Sequence, residues 1–190
     1  MLAELGYVAF VSDIYGKASR PKDRSEAPKF AGQYKGDRKL FRRRLNLGLD
    51  QLRAAPGVDK GRIAAIGYCF GGSTALELGR SGAPLSAVVS FHGGLEAPKP
   101  EDARNIRAKV LVCHGASDPL IPPAQVAAFE AQMRDTAVDW QLCSYGGAVH
   151  SFTNPDADKL GNPALAYNAA ADRRSWAAML SLFEEAFGPR

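Results

Sequence analysis

The sequence predicts an α/β fold, a mostly parallel sheet of about five strands flanked by helices. Three observations carry that expectation. Short apolar runs without polar alternation recur along the chain, the pattern of strands covered on both faces. Stretches with apolar residues at helical spacing separate them, as crossover connections require. The chain has 190 residues, 46% of them hydrophobic, enough for one sizeable core. No internal repeat, low-complexity segment or interdomain linker interrupts the pattern, so residues 1–190 read as one domain.

Taken in order, Tyr7 to Val11 reads as a buried strand, followed by a long loop rich in Pro, Lys and Gly from Gly16 to Gly36. A helix is expected from Asp37 to Ala54, with Phe41, Leu45, Gly48 and Leu52 on one face. Ala55, Pro56 and Gly57 stop it. Arg62 to Ile66 is the second strand, and Phe70 to Leu78 the helix after it, with Gly79 as its stop. Ala87 to Phe91 and Lys109 to Cys113 are the third and fourth strands. Pro123 suits a helix start, with Val126, Phe129 and Met133 down one face. Trp140 to Tyr145 is the fifth strand, and a final helix of about twenty residues carries Trp176, Met179, Leu180 and Phe183.

Composition narrows the function classes. No apolar run approaches the roughly 18–20 residues that span a membrane. The start lacks the basic and apolar regions of a signal peptide. Three cysteines, Cys69, Cys113 and Cys143, are too few and too far apart for a disulfide scaffold, which points to a reducing, cytoplasmic setting. The net charge is +4, but residues 17–44 hold eleven basic side chains against Asp23, Glu26 and Asp37. Such a stretch attracts nucleic acid or anions in some proteins. Without finger spacing, an aromatic RNA-binding pattern or a basic zipper, it reads here as a solvated surface, with no nucleic-acid partner.

The strongest local signal is Gly67, Tyr68, Cys69, Phe70, Gly71 and Gly72, directly after an expected strand and before an expected helix. This is the context of a nucleophile elbow, whose sharp turn needs glycine neighbours where backbone segments crowd together. The turn presents Cys69 at the carboxyl edge of the sheet, where ligands gather in open α/β sheets. A helix N-terminus favours its thiolate. The backbone N–H of Phe70 then faces the place where an oxyanion would form. Cysteine is also a small, often buried hydrophobe, so the motif alone leaves a structural reading open. The glycine spacing fits neither a dinucleotide fingerprint nor a phosphate loop.

Of the three histidines, His92 and His114 end strands before glycine and read as hydrogen-bonded structural residues. His150 follows Gly146 and Gly147 in a flexible loop after the last strand, where an imidazole can reach across the sheet edge. Asp118, just past the fourth strand, is the carboxylate best placed to orient it, although an Asp before proline also serves turns. Cys69, Asp118 and His150 follow the nucleophile, acid, base order of α/β-hydrolases. Cys113 and Cys143 lie inside expected strands as inert core residues.

These residues resemble the dienelactone hydrolase family. The resemblance runs through Gly6 to Val8, Asp13 to Gly16, Gly57 to Asp59, Arg62 to Gly72, Ser90 to Gly93, His114 to Asp118, His150 to Pro155 and Tyr167 to Trp176. It implies a hydrolase of small esters or lactones with Cys69 as nucleophile, His150 as base and Asp118 as its partner, working without metal or cofactor. The implied partner is a small molecule, neutral or anionic, with no membrane and an open oligomeric state. Two departures qualify it. Where the characterised dienelactone hydrolases place an arginine that helps bind a substrate carboxylate, this chain has Asn154. The family also has strands before the segment matching Met1 to Gly6, with a loop supplying a second oxyanion N–H and an acidic residue. The expectation is an N-terminally shortened copy with a slot in its sheet, and a catalytically weak or inactive hydrolase-fold module is the alternative.

Overall fold

The computed structural model describes residues 2–17, 19, 21–23 and 25–188. They form two compact units, Met1–Lys60 and Gly61–Arg190. In the first, helix α1 spans Ala27–Gly36 and α2 spans Arg38–Ala54. Helix α1 replaces part of the loop expected from Gly16 to Gly36. Pro28 sits in its first turn, where no intrahelical N–H is lost. Phe30 and Tyr34, one turn apart, put an apolar face on it, with Tyr34 3% exposed. Tyr15 packs edge-on against Phe30 at 5.5 Å, and Tyr34 lies 6.0 Å from Phe41, ring centre to ring centre. Asp37 separates the helices, its Oδ1 accepting from the Leu40 N–H at 2.9 Å as the N-cap of α2. Phe41, Leu45 and Leu49 form the buried stripe of α2, Leu49 taking the place expected of Gly48 and Leu52.

The expected first strand does not form. Residues 7–11 make no ladder, and Val8, Phe10 and Val11 are 55%, 48% and 92% exposed. An apolar run becomes a strand only where a neighbouring strand forms a ladder with it, and among the described residues none does so here. Within the basic stretch, Arg44 donates to the Ile14 carbonyl at 3.2 Å and lies over the Tyr34 ring. Arg20 and Arg24 lie outside the described residues.

The second unit holds the sheet. Strands β1 (Ala64–Tyr68), β2 (Ala87–Phe91), β3 (Lys109–Gly115) and β4 (Trp140–Tyr145) pair in the order β1-β2-β3-β4, all parallel. The sheet therefore has four strands among the described residues rather than about five. Register aligns Gly67 with Ser90 and Ser90 with Val112. β2 is buried along its whole length, as an apolar run without alternation requires. β1 is a half-exposed edge ending in Tyr68, whose ring stacks on Phe91 at 4.6 Å.

Helix α3 (Phe70–Arg80) packs on β1 and β2, and α5 (Ala169–Phe187) on β2 and β3. Helix α4 (Pro123–Arg134) carries Phe129, whose ring meets Trp140 of β4 edge-on. Gly79 does not stop α3. It lies inside the helix where an added Cβ would sit 3.3 Å from Val88, so its smallness serves packing on β2. Arg80, 2% exposed, donates to Gln132 and to the carbonyls of Leu95 and Glu96. It joins α3, α4 and the loop after β2. No helix among the described residues is long and apolar enough to cross a membrane.

Candidate active site

Parallel strands deliver all their carboxyl ends to one edge, and each strand here is followed by one member of the site. Cys69 follows β1, His92 follows β2, Asp118 follows β3 and His150 follows β4. At the first of these the chain turns abruptly from strand to helix, with Cys69 at φ 54°, ψ −121°. A Cβ on Gly67 would fall inside the Gly71 carbonyl and 2.7 Å from the Gly72 nitrogen. A Cβ on Gly72 would lie 2.5 Å from the Ser90 hydroxyl. Gly67 lets β1 and α3 approach closely enough for the turn to close, and Gly72 lets α3 settle against Ser90 of β2. Cys69 is exposed and Phe70 opens the helix behind it.

Asp118 is pinned inside a turn: its N–H donates to the Gly115 carbonyl, and its Oδ1 accepts from the Leu120 N–H at 2.9 Å. Its Oδ2 lies 2.7 Å from His150 Nδ1, with the carboxylate fully buried. His150 Nε2 lies 3.1 Å from Cys69 Sγ, across 81 positions of sequence. The structure thus brings together the three side chains singled out in the sequence. Gly115 sits beneath this arrangement because an added Cβ would be 2.7 Å from the Ala148 carbonyl oxygen.

The His150 segment is better anchored than a flexible loop. Its N–H donates to the Ala164 carbonyl at 3.1 Å, and its own carbonyl accepts from the Ala166 N–H at 3.2 Å, a parallel bridge beside Leu165. Phe152, wholly buried, is held by the Asn168 N–H on its carbonyl. Burial opposes a positive charge on His150, but hydrogen bonds to Asp118 and Cys69 outweigh it and raise the imidazole to about 9. The chemistry available is an imidazolium beside a sulfur, backed by a buried carboxylate.

His92 and His114 are both buried. His92, however, reaches the site itself: its Nδ1 accepts from the Cys69 N–H, and its ring meets that of His150 edge-on at 5.1 Å. A histidine before a glycine at a strand end is the only sequence signal it gave. Cys113 is wholly buried in β3 and pushed up to about 12 by burial, as expected of an inert thiol. Cys143 is half-buried in β4. Among the described residues, no group of three or more His, Cys, Asp or Glu side chains is placed to hold a metal ion.

A parallel sheet with a strand–turn–helix elbow at its carboxyl edge defines a hydrolase of the α/β-hydrolase fold. Residues 1–187 match the model of the dienelactone hydrolase family, and the chain belongs to that family of ester and lactone hydrolases. It is 29% identical over 186 residues to a Bradyrhizobium protein named as a probable 2-oxo-3-(5-oxofuran-2-ylidene)propanoate lactonase, covering 92% of this chain and 71% of that one. An uncharacterized Caenorhabditis elegans protein is 35% identical over 147 residues, 76% of this chain and 92% of its own. Among solved structures, a dienelactone hydrolase-like promiscuous phosphotriesterase from metagenomic libraries superposes with a TM-score of 0.90 at 48% identity. That match covers 97% of this chain and 77% of that one.

The elbow's tolerance is testable. Gly67→Ala places a methyl group against backbone that cannot retreat, and overpacking of this kind costs typically 1–3 kcal/mol. A lowered urea midpoint is expected, with Gly146→Ala, where an added Cβ meets nothing within 4 Å, as the control.

Proposed function

We propose that this protein cleaves small carboxylic esters or lactones through Cys69, His150 and Asp118, with a thioester intermediate. The observation that carries the reading is the continuous line from Asp118 Oδ2 to His150 Nδ1 at 2.7 Å and from His150 Nε2 to Cys69 Sγ at 3.1 Å. Cys69 as thiolate attacks the carbonyl carbon, forming a C–S bond as the C=O electrons move to oxygen. The N–H of Phe70 is one donor to that oxyanion. Collapse expels the alkoxide, which takes the proton from His150 Nε2. The now neutral imidazole removes a proton from water, whose oxygen attacks the thioester and releases acid and thiolate. Asp118 holds the ring in orientation throughout, accepting from Nδ1.

The substrate class follows from the loop after His150. Asn154 occupies a turn, its Oδ1 accepting from the Asp156 N–H at 3.1 Å, and the nearby Lys159 ammonium is paired with Asp156 at 2.6 Å. Asn154 stands where the resemblance puts a carboxylate-binding arginine, which favours uncharged substrates. A second reading, cleavage of phosphotriesters by the same thiolate, is favoured by the 48% identity to the metagenomic phosphotriesterase-like structure. Phosphotriesters are likewise uncharged.

Three measurements test this. Hydrolysis of an aryl acetate by the full chain is expected to fall by about 10³-fold or more in Cys69→Ala, as for loss of a nucleophile. An intact-mass acyl adduct should appear at early times in the parent. Full activity in Cys69→Ala would overturn the assignment. A single acylation without turnover would instead establish the weak or inactive module. Running the assay with an aryl dialkyl phosphate decides the second reading.

The pH profile provides a separate check. With His150 raised to about 9, the imidazolium that protonates the leaving group is present below that value and lost above it. kcat/KM is therefore expected to decline as pH rises through about 9. Finally, a neutral lactone should be turned over faster than its carboxylate-bearing analogue. The reverse order, weakening with added salt, would show an anion-binding site.

A further inference from the structure

Three non-glycine residues among those described have positive φ: Cys69 at 54°, His92 at 40° and Ser151 at 60°. Such backbone persists where its surroundings over-determine it, and it clusters at functional sites. Cys69 is at the elbow and Ser151 follows His150. His92 has no evident reason of its own, since its N–H continues the sheet by donating to the Cys113 carbonyl at 2.8 Å. Both nitrogens of its ring are engaged. The imidazole, 3% exposed, accepts the Cys69 N–H on Nδ1 at 3.2 Å, sharing that donor with the Phe91 carbonyl at 3.0 Å. Nε2 lies 2.8 Å from the Thr153 hydroxyl, three positions past His150.

A ring nitrogen that accepts from an amide carries no proton, so the proton of neutral His92 resides on Nε2, which donates to Thr153. Burial, reinforced by the positive charge of His150 and opposed by Asp118, lowers the ring to about 3 and keeps it neutral. The titratable groups around it are Cys69, Tyr68, His150 and Asp118. The faces of the ring are equally constrained, with Phe152 edge-on at 5.1 Å and His150 at the same separation.

We infer that His92 is a positioning residue that sets the spacing of Cys69 and His150, its two ring nitrogens tying the elbow to Thr153 of the segment carrying the base. The inference rests on the roles proposed for Cys69 and His150. A ring that merely filled space would be replaceable by any side chain of similar shape. A tether requires both nitrogens and the Thr153 hydroxyl. Through it, a shift of the elbow and a shift of the base segment become one motion, and the 3.1 Å contact between Sγ and Nε2 is preserved.

The test uses the full chain and four variants. Thr153→Val removes the hydroxyl while keeping shape, and Thr153→Ser restores it. His92→Asn keeps an acceptor toward the Cys69 amide but falls short of Thr153, and His92→Phe keeps only the ring. Two readouts are taken beside the urea midpoint: kcat and KM on an aryl acetate, and the pH dependence of iodoacetamide alkylation at Cys69 by peptide mapping. In Thr153→Val, kcat is expected to fall about tenfold with KM unchanged, the loss of an interaction that serves the transition state. The alkylation midpoint should move to higher pH as the Cys69–His150 pair loosens, with both effects reversed in Thr153→Ser. His92→Asn and His92→Phe should show the same shift.

Unchanged kcat and alkylation in Thr153→Val would overturn the tether, as would a lowered urea midpoint with an unshifted alkylation profile. The alkylation readout requires no turnover. Failure of the hydrolase assignment, read from Cys69→Ala, is therefore separable from failure of this one.

Discussion

A buried carboxylate is the constraint around which the site is organised. Asp118 is taken out of water entirely, and a charge in such a place must be answered by hydrogen bonds and an opposite charge. The Leu120 amide answers one oxygen and the imidazole of His150 the other. That second bond fixes the ring's orientation, which in turn directs Nε2 at Cys69. The turn holding Asp118 and the bridge holding His150 to residues 164–166 serve to keep these two groups at bonding distance.

The sheet makes this economy of parts possible. Because all four strands run the same way, four connections leave from a single edge, and residues distant in sequence arrive there together. The glycines work at the junctions where that convergence is tightest. Gly67 lets α3 begin almost on top of β1, Gly72 lets it close on Ser90 of β2, and Gly115 lets the loop after β4 cross close to β3. The proposed nucleophile gains its exposure from the first of these contacts. The proposed base gains its reach from the last.

Where sequence and structure diverge, the cause is an interaction that periodicity does not encode. Tyr7 to Val11 has the composition of a strand, but a strand exists only with a partner, and its side chains stand largely in solvent. Residues 27–36 read as loop because proline, lysine and glycine dominate them, yet Phe30 and Tyr34 one turn apart supply the face that stabilises α1. Gly79 reads as a helix stop by residue type, and the proximity of Val88 gives its actual reason. His150 reads as mobile from its glycine neighbours, and its backbone bridge shows otherwise.

The sequence by itself determined the fold class, and it pointed to an elbow at Cys69 and to Asp118 and His150 as the partners proposed for it. Elbow glycines and strand-end positions are local features, and their order along the chain survives without coordinates. Only the tertiary structure decided that four strands pair among the described residues, that His150 is anchored, and that His92 links the elbow to Thr153. Those depend on contacts between segments far apart in sequence, where hydrogen-bond geometry rather than residue type selects the partner.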